Sequence, residues 1–147
     1  MSTSNLNQIV NFLNTNPRNR LIILQNTNEP DFLFTDIGFE LATALKNNTK
    51  NKQISMLASD ALDGIINRNE NSHPLIGKYV AITNIGILME DALKINVPTF
   101  LNSNSQNRSF IVKWEGELND PLLYFLSKEN GKAISLKGIS HIITNEV

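Results

Sequence analysis

The chain has 147 residues, a net charge of -1, no cysteine and two histidines. That suits one domain with a sizeable core. It excludes disulfide scaffolds, thiolate metal sites, cysteine nucleophiles and nucleic-acid binding by bulk positive charge.

The N-terminal stretch MSTSNLNQIVNFLN lacks the basic and apolar regions of a signal peptide, and no run approaches the ~20 apolar residues of a membrane span. A cytoplasmic location without membrane attachment is expected. Leu6, Ile9, Val10 and Leu13 recur at helical spacing, with Ser4 placed to cap the helix and Pro17 beyond its end. Leu21 to Leu24 is an unbroken apolar run, the pattern of a strand buried on both faces of a parallel sheet. Residues Asn26 to Asp31 have loop composition. Phe34, Ile37, Leu41, Ala44 and Leu45 predict a helix ended by Asn47-Asn48-Thr49.

Ile54 to Leu57 reads as a second strand, and Ser59 caps a helix through Leu62, Ile65 and Ile66. Asn67 to His73 reads as a polar loop. Tyr79 to Ile82 is a third buried strand, followed by a helix through Ile87, Leu88 and Ile95. Pro98 opens a short helix containing Phe100 and Leu101. Phe110 to Val112 is a fourth strand, ending at Trp114. Short apolar pieces then alternate with turn residues (Leu122 to Leu126, Ala133 to Leu136, Ile139 to Ile143), which reads as an antiparallel tail. Strands alternating with helices imply a mostly parallel sheet flanked by helices. The expected fold is therefore a single α/β domain over residues 1–147, three-layered and P-loop-NTPase-like, with short antiparallel C-terminal strands.

Ligands of open parallel sheets sit beyond the carboxyl ends of the strands. A P-loop after the first strand would read G-x-x-x-x-G-K-[ST], with backbone amides and lysine around phosphate and a hydroxyl on magnesium. Set after Leu24, that pattern falls on Asn26, Asp31, Phe32 and Leu33, none of which matches. No glycine or lysine occurs between Leu21 and Ile37, so no other register restores it. The acidic position after the third strand fares no better. Tyr79 to Ile82 runs into Thr83 and Asn84, with no carboxylate to hold magnesium. Nucleotide hydrolysis is not expected, and no cofactor or metal site is read.

Three motifs carry a resemblance. They are Asn84-Ile85-Gly86-Ile87-Leu88 after the third strand, Asn107-Arg108 before the fourth, and Trp114-Glu115-Gly116-Glu117 at its end. In this order and spacing the chain resembles the small P-loop subunit of bacteriophage exclusion (BREX) phage-defence systems, the BrxF family, over residues 5 to 147. The sequence departs from the family's pattern at the phosphate-loop lysine and hydroxyl, at Thr83 in place of the acidic residue, and at Glu115 in place of proline. The resemblance implies a pseudo-NTPase subunit or adaptor whose partners are other defence proteins, including a large ATPase, a methyltransferase or a phosphatase-like component. It implies a partner, phosphate or nucleic-acid contact at Arg108, against the plain reading of a solvated cap before the strand, and a partner or nucleic-acid contact at Trp114, against core packing at the strand end.

Two other readings compete. An enzyme on the same scaffold would draw on Asp31, Asp36, Asp60 and Asp63, the last two spaced to share a helix face. A nucleic-acid-associated structural subunit would use Arg18, Arg20 and Arg108.

Overall fold

The computed structural model describes residues 2–25, 32–47, 50, 52–125 and 132–145. Five parallel strands form the centre: β1 (Leu21–Gln25), β2 (Phe34–Asp36), β4 (Gly77–Thr83), β5 (Ser109–Trp114) and β9 (His141–Asn145). Their order across the sheet is β2-β4-β5-β1-β9, and β3 (Asn71–His73) pairs antiparallel with the start of β4. Leu21 lies level with Phe110 on one side and His141 on the other. A second, three-stranded antiparallel sheet holds β6 (Leu118–Asn119), β7 (Leu122–Phe125) and β8 (Lys132–Ser135).

Side-chain alternation divides the core in two. Leu21, Ile23, Val80, Ile82, Phe110, Val112 and Trp114 point to one face. Helices α2 (Ile37–Leu45), α3 (Ile54–Arg68) and α4 (Val97–Asn104) supply the apolar residues packed there, together with two short 3-10 turns and the small sheet. Ile22, Leu24, Tyr79, Ala81 and Ile111 point to the other face, where α1 (Ser2–Leu13) packs Ile9 and Leu13. Each such fully buried side chain contributes roughly 1.5–3 kcal/mol. A one-residue slip would exchange the two faces, so the register is strongly specified.

The structure departs from the sequence expectations at several places. Ile54 to Leu57 is not a strand but the first turn of α3, because Ala58, Leu62, Ile65 and Ile66 continue its spacing onto one buried face. Ser59 therefore lies inside α3, and Ser4 lies inside α1; neither begins a helix. The helix expected from Phe34 starts only at Ile37, since Phe34–Asp36 pair with Ala81–Thr83 as β2. The polar stretch Asn67 to His73 ends α3 and then forms β3. Ile87 to Ile95 makes 3-10 turns (Ile85–Met89 and Asp91–Leu93) rather than one helix. The last strand is not part of an antiparallel tail. It joins the main sheet parallel to β1, because Ile142 and Ile143 each find one of the two apolar faces.

Candidate functional site at the carboxyl end of the sheet

The strand ends bring together Asp36, Thr83 and Asn84 on one side, and Gln25 and Trp114 on the other. Asp36 is the N-cap of α2. Its carboxylate accepts the Phe39 amide N–H at 2.8 Å and the Asn84 side-chain amide at 2.9 Å. These donors, the Phe39 amide first, hold the Asp36 carboxyl below the ordinary aspartate value. An aspartate heading an apolar-periodic segment is a sequence signal for a cap, and it marks this role.

Asn84 takes the left-handed conformation, with φ 60° and ψ 51°. Asparagine tolerates that region better than most residues because its short amide bonds locally. Its approach to α2 depends on Gly38. A β-carbon on Gly38 would lie 2.4 Å from Asn84 Nδ2 and 2.7 Å from the Asn84 carbonyl oxygen. A second close approach stands across the strand ends. Trp114 is 5% exposed, and its indole N–H donates to the Glu117 carbonyl at 2.9 Å. A β-carbon on Gly116 would come within 2.8 Å of the Tyr124 carbonyl oxygen. Between these two fixed points lies a cleft of about 240 Å³, lined by Asn84, Lys113, Trp114, Glu115 and Tyr124 among others.

Of the positions set against a P-loop, Asn26 and Asp31 lie outside the described residues. Phe32 is 4% exposed and packs edge-on against Tyr79, ring centroids 5.2 Å apart, and against His73 at 5.3 Å. Leu33 is 68% exposed, and its N–H donates to the Tyr79 hydroxyl at 3.0 Å. Neither stands at the head of a helix, because β2 intervenes before α2. Residues 26–33, eight in all, join β1 to β2, which lie three strand spacings apart, roughly 14 Å. Thr83 closes β4 opposite Asp36 and is partly buried.

Arg108 and Trp114 flank opposite ends of β5, so they do not share a site. Arg108 lies at the amino end, where its Nε meets Glu70 Oε2 at 3.1 Å and its side chain is 17% exposed. Arg20 is engaged nearby, donating to the Ile76 carbonyl at 3.2 Å and to Ser109 Oγ at 3.1 Å. Arg18, Asp60 and Asp63 are exposed. Sequence reasoning missed Gly38 and the Glu70 partner of Arg108, and it had Gly116 as a motif residue without its close approach to Tyr124. Only tertiary contact reveals them.

Among the described residues no group of three or more His, Asp or Glu is placed to hold a metal ion, and no helix is long and apolar enough to cross a membrane. No family model, no curated protein and no solved structure matches the chain.

Proposed function

We propose that this chain is a P-loop-like scaffold that binds other proteins and does not hydrolyse nucleotide, in the manner of a small subunit or adaptor of a BREX-like phage-defence complex. The observation that carries the reading is Phe32, buried in the core, where the sequence register after Leu24 would require the phosphate-loop lysine. An apolar ring packed against Tyr79 supplies no charge to a polyphosphate.

The main sheet is open and its five central strands are parallel, so a P-loop ligand would sit at its carboxyl end. Numbered along the chain, the first parallel strand lies between the fourth and fifth, with the third beyond the fourth. The two features at that end which a phosphate and its magnesium would draw on have other uses in this chain. A helix N-terminus attracts phosphate through its free amides and dipole. The N-terminus of α2 already holds the Asp36 carboxylate, which repels one. Thr83 and Asn84 replace the magnesium-binding acid, and Asn84 spends its amide on Asp36.

Protein contact is favoured over nucleic-acid contact by what each surface offers. Of the three arginines of the nucleic-acid reading, Arg20 donates to the Ile76 carbonyl and Ser109, Arg108 pairs through Nε with Glu70, and only Arg18 is exposed. Leu33 and Phe39 stand 68% and 67% exposed, immediately before β2 and in the first turn of α2. Both side chains are apolar and offer no charge to a phosphate backbone.

The test is calorimetric titration with ATP and ADP plus magnesium, followed by affinity capture with candidate defence-complex subunits. Absence of heat together with a stable complex is the expected result. Binding of nucleotide at micromolar affinity would sink the proposal.

A further inference from the structure

The two outer edges of the main sheet differ. At one, β2 and β3 are three residues each, set end to end against β4, and β2 carries the Asp36 carboxylate. Short, interrupted and charged strands are how a sheet edge avoids pairing with another chain. At the other, β9 runs five residues beside β1 without a break in register, and among the described residues no strand pairs with its outer side. It carries no acidic residue, lysine, arginine, proline or glycine. The outward N–H and C=O groups of such a strand have no ladder partner.

Cover is incomplete on the face that α1 occupies. Among the strands, α1 packs chiefly on β9, so it lies over the rim of the sheet. Its Ile9 and Leu13 are buried, but Leu6, Val10, Phe12 and Ile142 stay partly exposed against the same cluster. None of the chain's 13 basic and 14 acidic residues lies in α1 or β9. On the other face Asp120 approaches the start of the strand, where its carboxylate is 2.7 Å from His141 Nε2.

We propose that β9 pairs antiparallel with β9 of a second copy of this chain, making one continuous sheet across a twofold axis. Such a contact sets a surface against itself, so any net charge on it would meet its own sign. The rim formed by α1 and β9 has no formal charge, which meets that requirement and offers nothing to a charged partner. Pairing centred on Ile143 uses all five residues of the strand. Ile143 then faces its own equivalent, Ile142 faces Thr144 of the second copy, and His141 faces Asn145 of the second copy. β-branched side chains suit such directly opposed positions. The axis stands perpendicular to the sheet, so the two α1 helices lie on the same face, and the half-covered Leu6, Val10, Phe12 and Ile142 close against their equivalents. Leu33 and Phe39 lie by β2 at the opposite edge, so self-pairing and capture of a different protein can fail separately.

The chain has no cysteine, so a single introduced cysteine reports a contact without background. Directly opposed residues of an antiparallel pair have Cα atoms roughly 4.5–5.5 Å apart, within the span of a disulfide. Sedimentation of the full wild-type chain should give twice the 16.5 kDa chain mass. Ile143→Cys, oxidised by copper phenanthroline, should form a cross-linked dimer. Leu75→Cys, exposed between β3 and β4 at the other edge, should stay uncross-linked under the same treatment. Ile142→Lys adds a charge to the rim of both copies and should sediment as a monomer with the circular dichroism of wild type. A wild type that is monomeric at every soluble concentration overturns the proposal, and so does a dimer that Ile143→Cys fails to cross-link or that a folded Ile142→Lys leaves intact. If Ile142→Lys does not fold, the wild-type mass and the Ile143→Cys cross-link decide.

Discussion

Asp36 and Asn84, 48 residues apart, share a hydrogen bond of 2.9 Å while Asp36 also caps α2. One carboxylate thus starts a helix and fastens it to the end of β4. Replacing Asp36 by Ala removes the cap and should cost about 1 kcal/mol, read from urea midpoints at neutral pH. The same carboxyl is held below its ordinary value of 3.8. Its stabilisation is fully present above that value and is lost as pH falls through the lower value of the folded state. Wild type and Asp36→Asn should therefore converge in stability under strong acid. A difference that persisted there would show that the cap acts through shape and not charge.

Gly38 has no room for a side chain. Gly38→Ala is expected to destabilise by roughly 1–3 kcal/mol, the usual cost of overpacking. Asn84→Gly removes the side-chain half of the clash but leaves the backbone oxygen 2.7 Å from the added carbon. The double variant should remain less stable than Asn84→Gly alone. Full recovery in thermal melts would mean that the backbone yields.

Restoring the missing lysine should not restore nucleotide binding. Phe32→Lys places a charge among Tyr79, Ile22 and Ile111 without a partner. The expected result is a loss of at least about 3 kcal/mol, comparable to Phe→Ala in a core, with no calorimetric response to ATP. A stable variant that bound ATP would show that the segment can rearrange into a phosphate loop.

Leu33 and Phe39 bear on the partner surface. Leu33→Ser and Phe39→Ser should change stability by no more than about 0.5 kcal/mol, because exposed sites away from special features rarely do more. Both should weaken capture of a protein partner if the surface is used. Unchanged capture by the double variant would place the docking face elsewhere on the domain.

The central strands were legible because their pattern is local. Leu21 to Leu24, Tyr79 to Ile82 and Phe110 to Val112 are continuous apolar runs, and a strand covered on both faces needs that and little else. The lack of glycine and lysine after Leu24 was equally plain. Ile54 to Leu57 was misread because a four-residue apolar run fits either a buried strand or one turn of a helix. The packing of Ala58, Leu62 and Ile65 against the sheet decides between them.

By itself, then, the sequence determined that this is an α/β chain with a buried parallel sheet and no phosphate loop after its first strand. Only the tertiary structure decided that β1 lies between β5 and β9, that Phe32 fills the core, that Arg108 pairs with Glu70, and that Asp36 and Asn84 close the sheet's carboxyl end. The physical reason lies in sequence distance. Apolar periodicity is written within a few neighbouring residues, but the partner of a strand edge or a charged side chain is chosen among groups far along the chain, by which packing buries the most apolar surface and leaves the fewest polar groups unpaired.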